Sequence, residues 1–204
     1  FRGIRHNVTW SPDPGLENRE SEGILANTDF RAGAKVLAQK ELVLDVMLSF
    51  PQMLELADFA KSVPNLSIIL NHIGALRRVG IYANRDDEVT PAWREGIDAV
   101  ASCPNITMKL GGMGMPWMGF GWHTREVPVG SEELAETMSP WMNYCIQQFG
   151  PNRCMFESNF APDKVSYSYN VMYNAFKRVS KGYSESERAA MFHDTAARVY
   201  RIPV

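Results

Sequence analysis

His72 closes an apolar run, Ile68-Ile69-Leu70-Asn71, and is followed by Ile73-Gly74. An imidazole at the end of a buried strand is a ligand, an acid/base group, or a histidine satisfied by a backbone carbonyl. Glu157 interrupts the apolar run Cys154-Met155-Phe156. A carboxylate there is costly unless it is paired, solvated or metal-bound, so it is a candidate base, with an ion pair to Lys109 or Arg5 as the plain alternative. Asp163, in Phe160-Ala161-Pro162-Asp163-Lys164, is a second candidate carboxylate that capping of a following helix would explain as well. Asn159 stands at the level of His72 and can donate or accept a hydrogen bond but cannot take a proton as a base. Arg5 and His6 are neighbours near the end of the first apolar segment. Alternation aims them to opposite faces, and the residues alone do not say which one faces inward. Lys109 raises the same question within Ile106-Thr107-Met108-Lys109-Leu110. A cation at such a place holds a substrate carboxylate or polarises a carbonyl. His72, Glu157 and Asp163 are therefore the catalytic candidates, and Arg5, His6, Lys109 and Asn159 the substrate-binding candidates, for acid–base chemistry on a small molecule.

The elements that must position these residues alternate. Strand-length apolar segments are expected at 1–8, 42–48, 66–71, 106–110 and 154–158, the second nearly continuous, as in a strand buried on both faces. Helical patterns fall between them: 29–40 after a Thr28 cap, 52–63 after Pro51, a helix opened by Thr90-Pro91 and running to about Ser102, 131–149 with a kink or split at Pro140, 167–181, and 185–200 with a Ser184/Glu187 capping box. In the last of these, Asp194 and Arg198 are placed to pair on the helix surface. Strict alternation predicts a parallel sheet with right-handed crossovers. Three strands are entered through the same dipeptide, Pro64-Asn65, Pro104-Asn105 and Pro151-Asn152. Overlaying the three segments places His72, Gly112 and Asn159 at one level, and gives Leu70, Leu110 and Glu157 a common orientation one layer deeper. Repeated geometry of this kind predicts an α/β fold of the (β/α)8 TIM-barrel type, with chemistry at the C-terminal ends of the strands. The chain supplies about five units of such a barrel. The expected organisation is one domain over residues 1–204, the C-terminal part of a longer barrel. The loop 111–130, rich in glycine and large apolar side chains, is expected to cover the strand ends near His72.

Composition narrows the partners. The 204 residues are 45% hydrophobic and 22% charged, with a formal net charge of -2 mixed along the chain. That argues against nucleic acid and against an anionic membrane surface. No apolar run approaches the roughly 18 residues of a membrane span, and the first residues do not form a signal peptide. Cys103, Cys145 and Cys154 are odd in number and widely spaced, so they read as reduced and packed, and a cytoplasmic location is the default. The expected ligand is a small-molecule substrate. An open barrel edge can pair with another chain, which leaves a homo-oligomer open.

Ile69-Leu70-Asn71-His72-Ile73-Gly74, Asn105 to Gly112 and Arg153 to Phe160, with the opening Arg2-Gly3-Ile4-Arg5 and the closing Ala196-Ala197-Arg198-Val199-Tyr200-Arg201, resemble the amidohydrolase-2 family of the amidohydrolase superfamily over nearly the whole chain. The resemblance implies a barrel hydrolase whose known activities include lactone hydrolysis, C–C hydrolysis and non-oxidative decarboxylation, some members using a divalent metal and some lactonases none. His72 matches the family's sixth-strand histidine and would be a metal ligand if a metal is present. The fifth-strand histidine position falls in Asp45 to Ser49, where no histidine stands. The eighth-strand aspartate, usually in Gly-Ser-Asp-Trp-Pro, gives way to Glu157-Ser158-Asn159-Phe160. These departures favour the lactonase-like branch. The cofactor expectation is thus a divalent metal such as zinc or manganese, or none. The implied reaction is hydrolysis of a lactone or related C–O bond by carboxylate-activated water, with Glu157 or Asp163 as base and His72, with Lys109 or Arg5, polarising the carbonyl. The rivals are a metal-dependent decarboxylase or amide hydrolase on the same fold, and an inactive fragment or binding scaffold.

Overall fold

A computed structural model describes residues 1–15 and 18–203. Five strands form one parallel sheet in the order β1-β2-β3-β4-β5: Gly3–Asn7, Val43–Met47, Ile68–Leu70, Ile106–Leu110 and Cys154–Phe156. Helices Thr28–Gln39, Met53–Ser62, Asp86–Ala101 and Ser131–Phe149 connect successive strands. Helix Tyr169–Val179 follows β5, and the chain ends in Glu185–Ala189, a π turn Ala190–Asp194 and Thr195–Tyr200. This is an α/β fold of the (β/α)8-barrel type in which the chain contributes five βα units of an incomplete barrel.

Helix boundaries correct several expectations. Asn27, not Thr28, caps the first helix: its side-chain oxygen accepts from the Asp29 and Phe30 amides. Pro51 lies in a 3-10 turn, Phe50–Gln52, and the helix proper starts at Met53. The helix expected from Thr90 starts a turn earlier. Asp86, Asp87 and Glu88 fill its first turn, where carboxylates offset the helix dipole, and Pro91 follows close behind on the exposed side. Helix Ser131–Phe149 runs unbroken through the exposed Pro140. The Ser184/Glu187 capping box is present. Arg198 donates to the Asn152 carbonyl at 2.5 Å rather than pairing with Asp194. The three cysteines are free and buried.

The sheet has two different faces. Leu44, Val46, Ile68, Leu70, Ile106, Met108, Leu110 and Cys154 pack against the helices in one continuous apolar core. Burying each such side chain stabilises the fold by roughly 1.5–3 kcal/mol. On the other face, the barrel interior, register aligns Arg5 with Asp45, Asp45 with Ile69, Ile69 with Thr107, and Lys109 with Met155. Val199 of the last helix packs on this face against Val43, Ile69 and Met155, with Tyr200 beside it.

The overlay of the Pro-Asn segments slips at β5. Met108 lies four residues after Pro104, but its partner Cys154 lies three after Pro151, because a 3-10 turn, Pro151–Arg153, leads directly into the strand. A one-residue offset reverses the face. Leu70 and Leu110 therefore point to the helices, while Glu157 points into the barrel.

Candidate active site

Past β3 the backbone turns left-handed. His72, Ile73, Gly74 and Ala75 have φ of 56°, 49°, 73° and 50°. Each non-glycine residue there costs roughly 1–2 kcal/mol, and strain of this kind persists where surrounding contacts fix it. The left-handed turn brings His72 against Glu157. Gly112, with φ of 70°, lets the β4 loop lie on the imidazole: a Cβ on it would sit 2.5 Å from His72 Nδ1.

His72 is buried and makes three polar contacts. Its backbone N–H donates to Glu157 Oε1 at 3.2 Å, and its Nδ1 makes a short hydrogen bond to the same oxygen. Arg5 Nη2 lies 3.2 Å from Nε2. A guanidinium only donates, so Nε2 accepts, and the proton belongs on Nδ1, where Glu157 accepts it. The neutral Nδ1–H imidazole satisfies both neighbours. Burial by itself would raise the pKa of Glu157, but attraction to His72 when its ring carries a positive charge, hydrogen bonds from that ring and its amide, and the charge of Lys109 outweigh it and hold the carboxyl below its usual value. Lys109 is itself paired with Asp45 at 3.3 Å. The Tyr200 hydroxyl lies 3.0 Å from each Asp45 oxygen, and burial pushes that phenol well up.

Asp163 is fully buried and differently surrounded. Its Oδ2 accepts from the Gly114 amide at 3.1 Å and the Tyr167 hydroxyl at 2.6 Å, and its Oδ1 from Asn159 Nδ2 at 2.7 Å. Burial raises its pKa, and these neutral donors only partly oppose the rise. It caps no helix, since Ser168 caps Tyr169–Val179. It ties the β4 loop to the end of β5, where Asn159 adopts a left-handed φ of 38°.

Of the seven residues expected at the site, Arg5, His72 and Glu157 are in direct contact, Lys109 acts on Glu157 from the same face, and Asp163 with Asn159 forms an adjoining cluster. His6 is a correction. Alternation turns it to the helix side, where it packs edge-on against Phe30 at 5.5 Å and bonds Glu20 at 2.8 Å. The loop 111–130 does lie at the His72 end, where Gly112 meets the imidazole; its own Met113, Met115, Met118 and Trp122 are buried, and its Trp117 lies against Arg77. The sequence reading missed Asp45, Tyr200, Tyr167 and Arg77. Asp45 carries the signal that revealed Glu157, a carboxylate within an apolar strand.

The described residues contain no group of three or more His, Cys, Asp or Glu able to hold a metal ion. The ring nitrogen of His72 that does not meet Glu157 accepts from the Arg5 guanidinium, a positive charge that disfavours a metal ion beside it. No helix among them is long and apolar enough to cross a membrane.

The barrel strands thus bring a carboxylate–imidazole pair and two cations together on the interior face. The family model described as Amidohydrolase (Amidohydro_2) matches residues 1–202, and the chain belongs to that family. It is 33% identical over 202 residues to the protein y4mH of Sinorhizobium fredii, covering 99% of this chain and 61% of that protein. It is 24% identical over 204 residues to the L-fucono-1,5-lactonase of Burkholderia multivorans, covering 100% and 64%. The crystal structure of an amidohydrolase from Burkholderia multivorans with bound Zn superposes with a TM-score of 0.81 at 23% identity, covering 99% of this chain and 65% of that one. The chain thus spans about three-fifths of the length of these relatives.

Proposed function

We propose that the chain is the C-terminal part of a lactone hydrolase, single-domain over residues 1–204, acting on a small molecule. The observation that carries this reading is the imidazole of His72 held between the Glu157 carboxylate and the Arg5 guanidinium. Similarity to an L-fucono-1,5-lactonase points the same way.

In this reading Glu157 acts through the imidazole. It keeps the proton on Nδ1, so the Nε2 lone pair takes a proton from water as the water oxygen attacks the lactone carbonyl. Arg5, released from Nε2 by the incoming water, donates to the oxyanion that develops. The ring C–O bond then breaks, the leaving alkoxide takes the proton back from Nε2, and a hydroxy acid results. Lys109 keeps Glu157 ionised, and Asp163 with Asn159 holds the covering loop in place. The test is a screen of sugar lactones and carboxylated lactones against the whole protein, with titration of the acid released. Turnover of a lactone supports the reading, and no turnover of any lactone overturns it.

One observation favours a second reading, a metal-dependent decarboxylase or amide hydrolase. Metal-ligating histidines place their other ring nitrogen on a carboxylate, as His72 does, and a similar structure has bound Zn. The described residues do not complete such a centre, so no step is derived through a metal. Stoichiometric zinc or manganese in the purified whole protein would favour this second reading.

A further inference from the structure

Two buried polar side chains above the strand ends carry atoms left unpaired. Asn71 is 1% exposed, and neither its Oδ1 nor its Nδ2 has a hydrogen-bond partner. Arg77 is 5% exposed; its Nε donates to Ser49 Oγ at 3.1 Å, while its Nη1 has none. Leaving such groups unpaired costs roughly 1–3 kcal/mol each, and more for a charged one.

Their placement ties them to the reacting end of the barrel. Asn71 is extended, with φ of -79° and ψ of 150°, and its amide continues the sheet to the Val46 carbonyl at 3.0 Å. Alternation from Ile69 then turns its side chain to the interior face, beside His72 in sequence. Ser49 follows β2 in extended conformation and is itself fully buried. The Arg77 guanidinium lies 4.9 Å from the Trp117 ring of the covering loop. No carboxylate is within ion-pair distance of Arg77 among the described residues, although Asp13 and Tyr82 act on it through space. Asp13 Oδ1 accepts from the Gly15 amide and Oδ2 from the Ile81 amide. The other two interior cations, Arg5 and Lys109, already have His72 and Asp45.

We propose that Arg77, with Asn71, is an anchoring subsite for a carboxylate on the substrate, so that this site takes an anionic lactone rather than a neutral sugar lactone. A guanidinium matches a carboxylate with two parallel hydrogen bonds, and the primary amide of Asn71 can donate to a carboxylate or to the ring substituent beside it. The Trp117 indole on the guanidinium shields that face of Arg77 from water and raises the value of the contact. The inference rests on the lactonase reading and adds the substrate's charge to it.

The test compares two lactones that differ only in one ring substituent, carboxylate or hydroxymethyl, with the whole protein as wild type, Arg77→Met and Arg77→Lys. The wild type should prefer the carboxylate lactone in kcat/KM. Arg77→Met should lower that preference about 30- to 100-fold, mostly through KM, as expected for a lost charge-assisted pair. Arg77→Lys should recover part of it. Calorimetric titration with a non-hydrolysable cyclic carboxylate gives a readout independent of turnover: it should bind wild type and not Arg77→Met. Thermal melting identifies a variant that has not folded, and Arg77→Lys then carries the comparison. A wild type that turns over the hydroxymethyl lactone as well as the carboxylate one overturns the subsite and leaves the lactonase reading standing. Binding of the carboxylate probe without turnover of either lactone overturns the lactonase reading and leaves the subsite standing.

Discussion

Glu157, partly buried, and Asp163, fully buried, are carboxylates six positions apart at the end of the same strand, and their surroundings push them in opposite directions. Glu157 meets an imidazole, with a lysine nearby, and is held below the usual carboxylate range. Asp163 meets a phenol, an amide N–H and a carboxamide, and is held above it. Burial acts on both in the same sense; the charge and type of the partners separate them. Pairs of titratable groups pushed apart in this way are a signature of divided roles. Here the division is between Glu157, paired with the His72 imidazole, and Asp163, which fastens the loop after β4 to the end of β5.

The largest effect should come from the dyad. Glu157→Gln in the whole protein should lower kcat by about two to four orders of magnitude with little change in KM, the scale of a lost acid–base function. His72→Asn should cost a similar amount, and the double variant no more than the worse single one, because the two residues act as one unit. A purely structural Glu157 would instead lower stability with near-normal turnover in the folded fraction. Asp163→Asn losing turnover while Glu157→Gln keeps it would reverse the two roles.

Disturbing the fastening should act mainly on stability. Asp163→Ala orphans the Tyr167 hydroxyl, the Asn159 carboxamide and the Gly114 amide, and should destabilise the fold by about 2–4 kcal/mol in a denaturant titration. Asp163→Asn keeps the size and one acceptor, and should cost less than half as much. Equal losses for the two variants would mean that the shape of the side chain matters and its hydrogen bonds do not.

How much of this was legible in the sequence depends on the distance over which each feature is decided. The five strands and their order follow from short apolar runs alternating with helical patterns, a local signal. The overlay puts Glu157 in one orientation with Leu70 and Leu110, but it slips by one residue at Pro151–Arg153, and a slip of one reverses a strand's faces, so Glu157 alone of the three turns into the barrel. His6 and Arg5 could not be told apart because sequence fixes alternation and not its phase. Arg77 stands in Leu76-Arg77-Arg78, an ordinary basic pair on paper. Only contact with Ser49 and Trp117, 28 and 40 positions away, shows that one of the two is buried. The left-handed turn at His72 to Ala75 has a single glycine to announce it. Tertiary contacts impose it on three residues that would not adopt it by themselves.

The smallest effect, and the sharpest in sign, is the dependence of stability on pH. A carboxyl held below its unfolded value contributes stability above that value, and the contribution is lost as pH falls through the folded pKa. Glu157 therefore supports the fold above about 4.5 and ceases to do so in more acid solution. A carboxyl held above its unfolded value does the reverse. Asp163 contributes stability below about 3.8, and this is lost as pH rises through its raised folded pKa. The two contributions oppose one another across the acid range and partly cancel in the wild type. Removing either one exposes the other. In Glu157→Gln, stability relative to pH 7 should fall less on acidification than in wild type, because the group that loses support in acid is gone. In Asp163→Asn it should fall more, because the group that gains support in acid is gone. Urea titrations of the three proteins between pH 3 and pH 7 measure the slopes, and the two variants should bracket the wild type. Parallel slopes in all three would mean that the carboxylates titrate alike, and the division of roles drawn from their partners would then have no electrostatic basis.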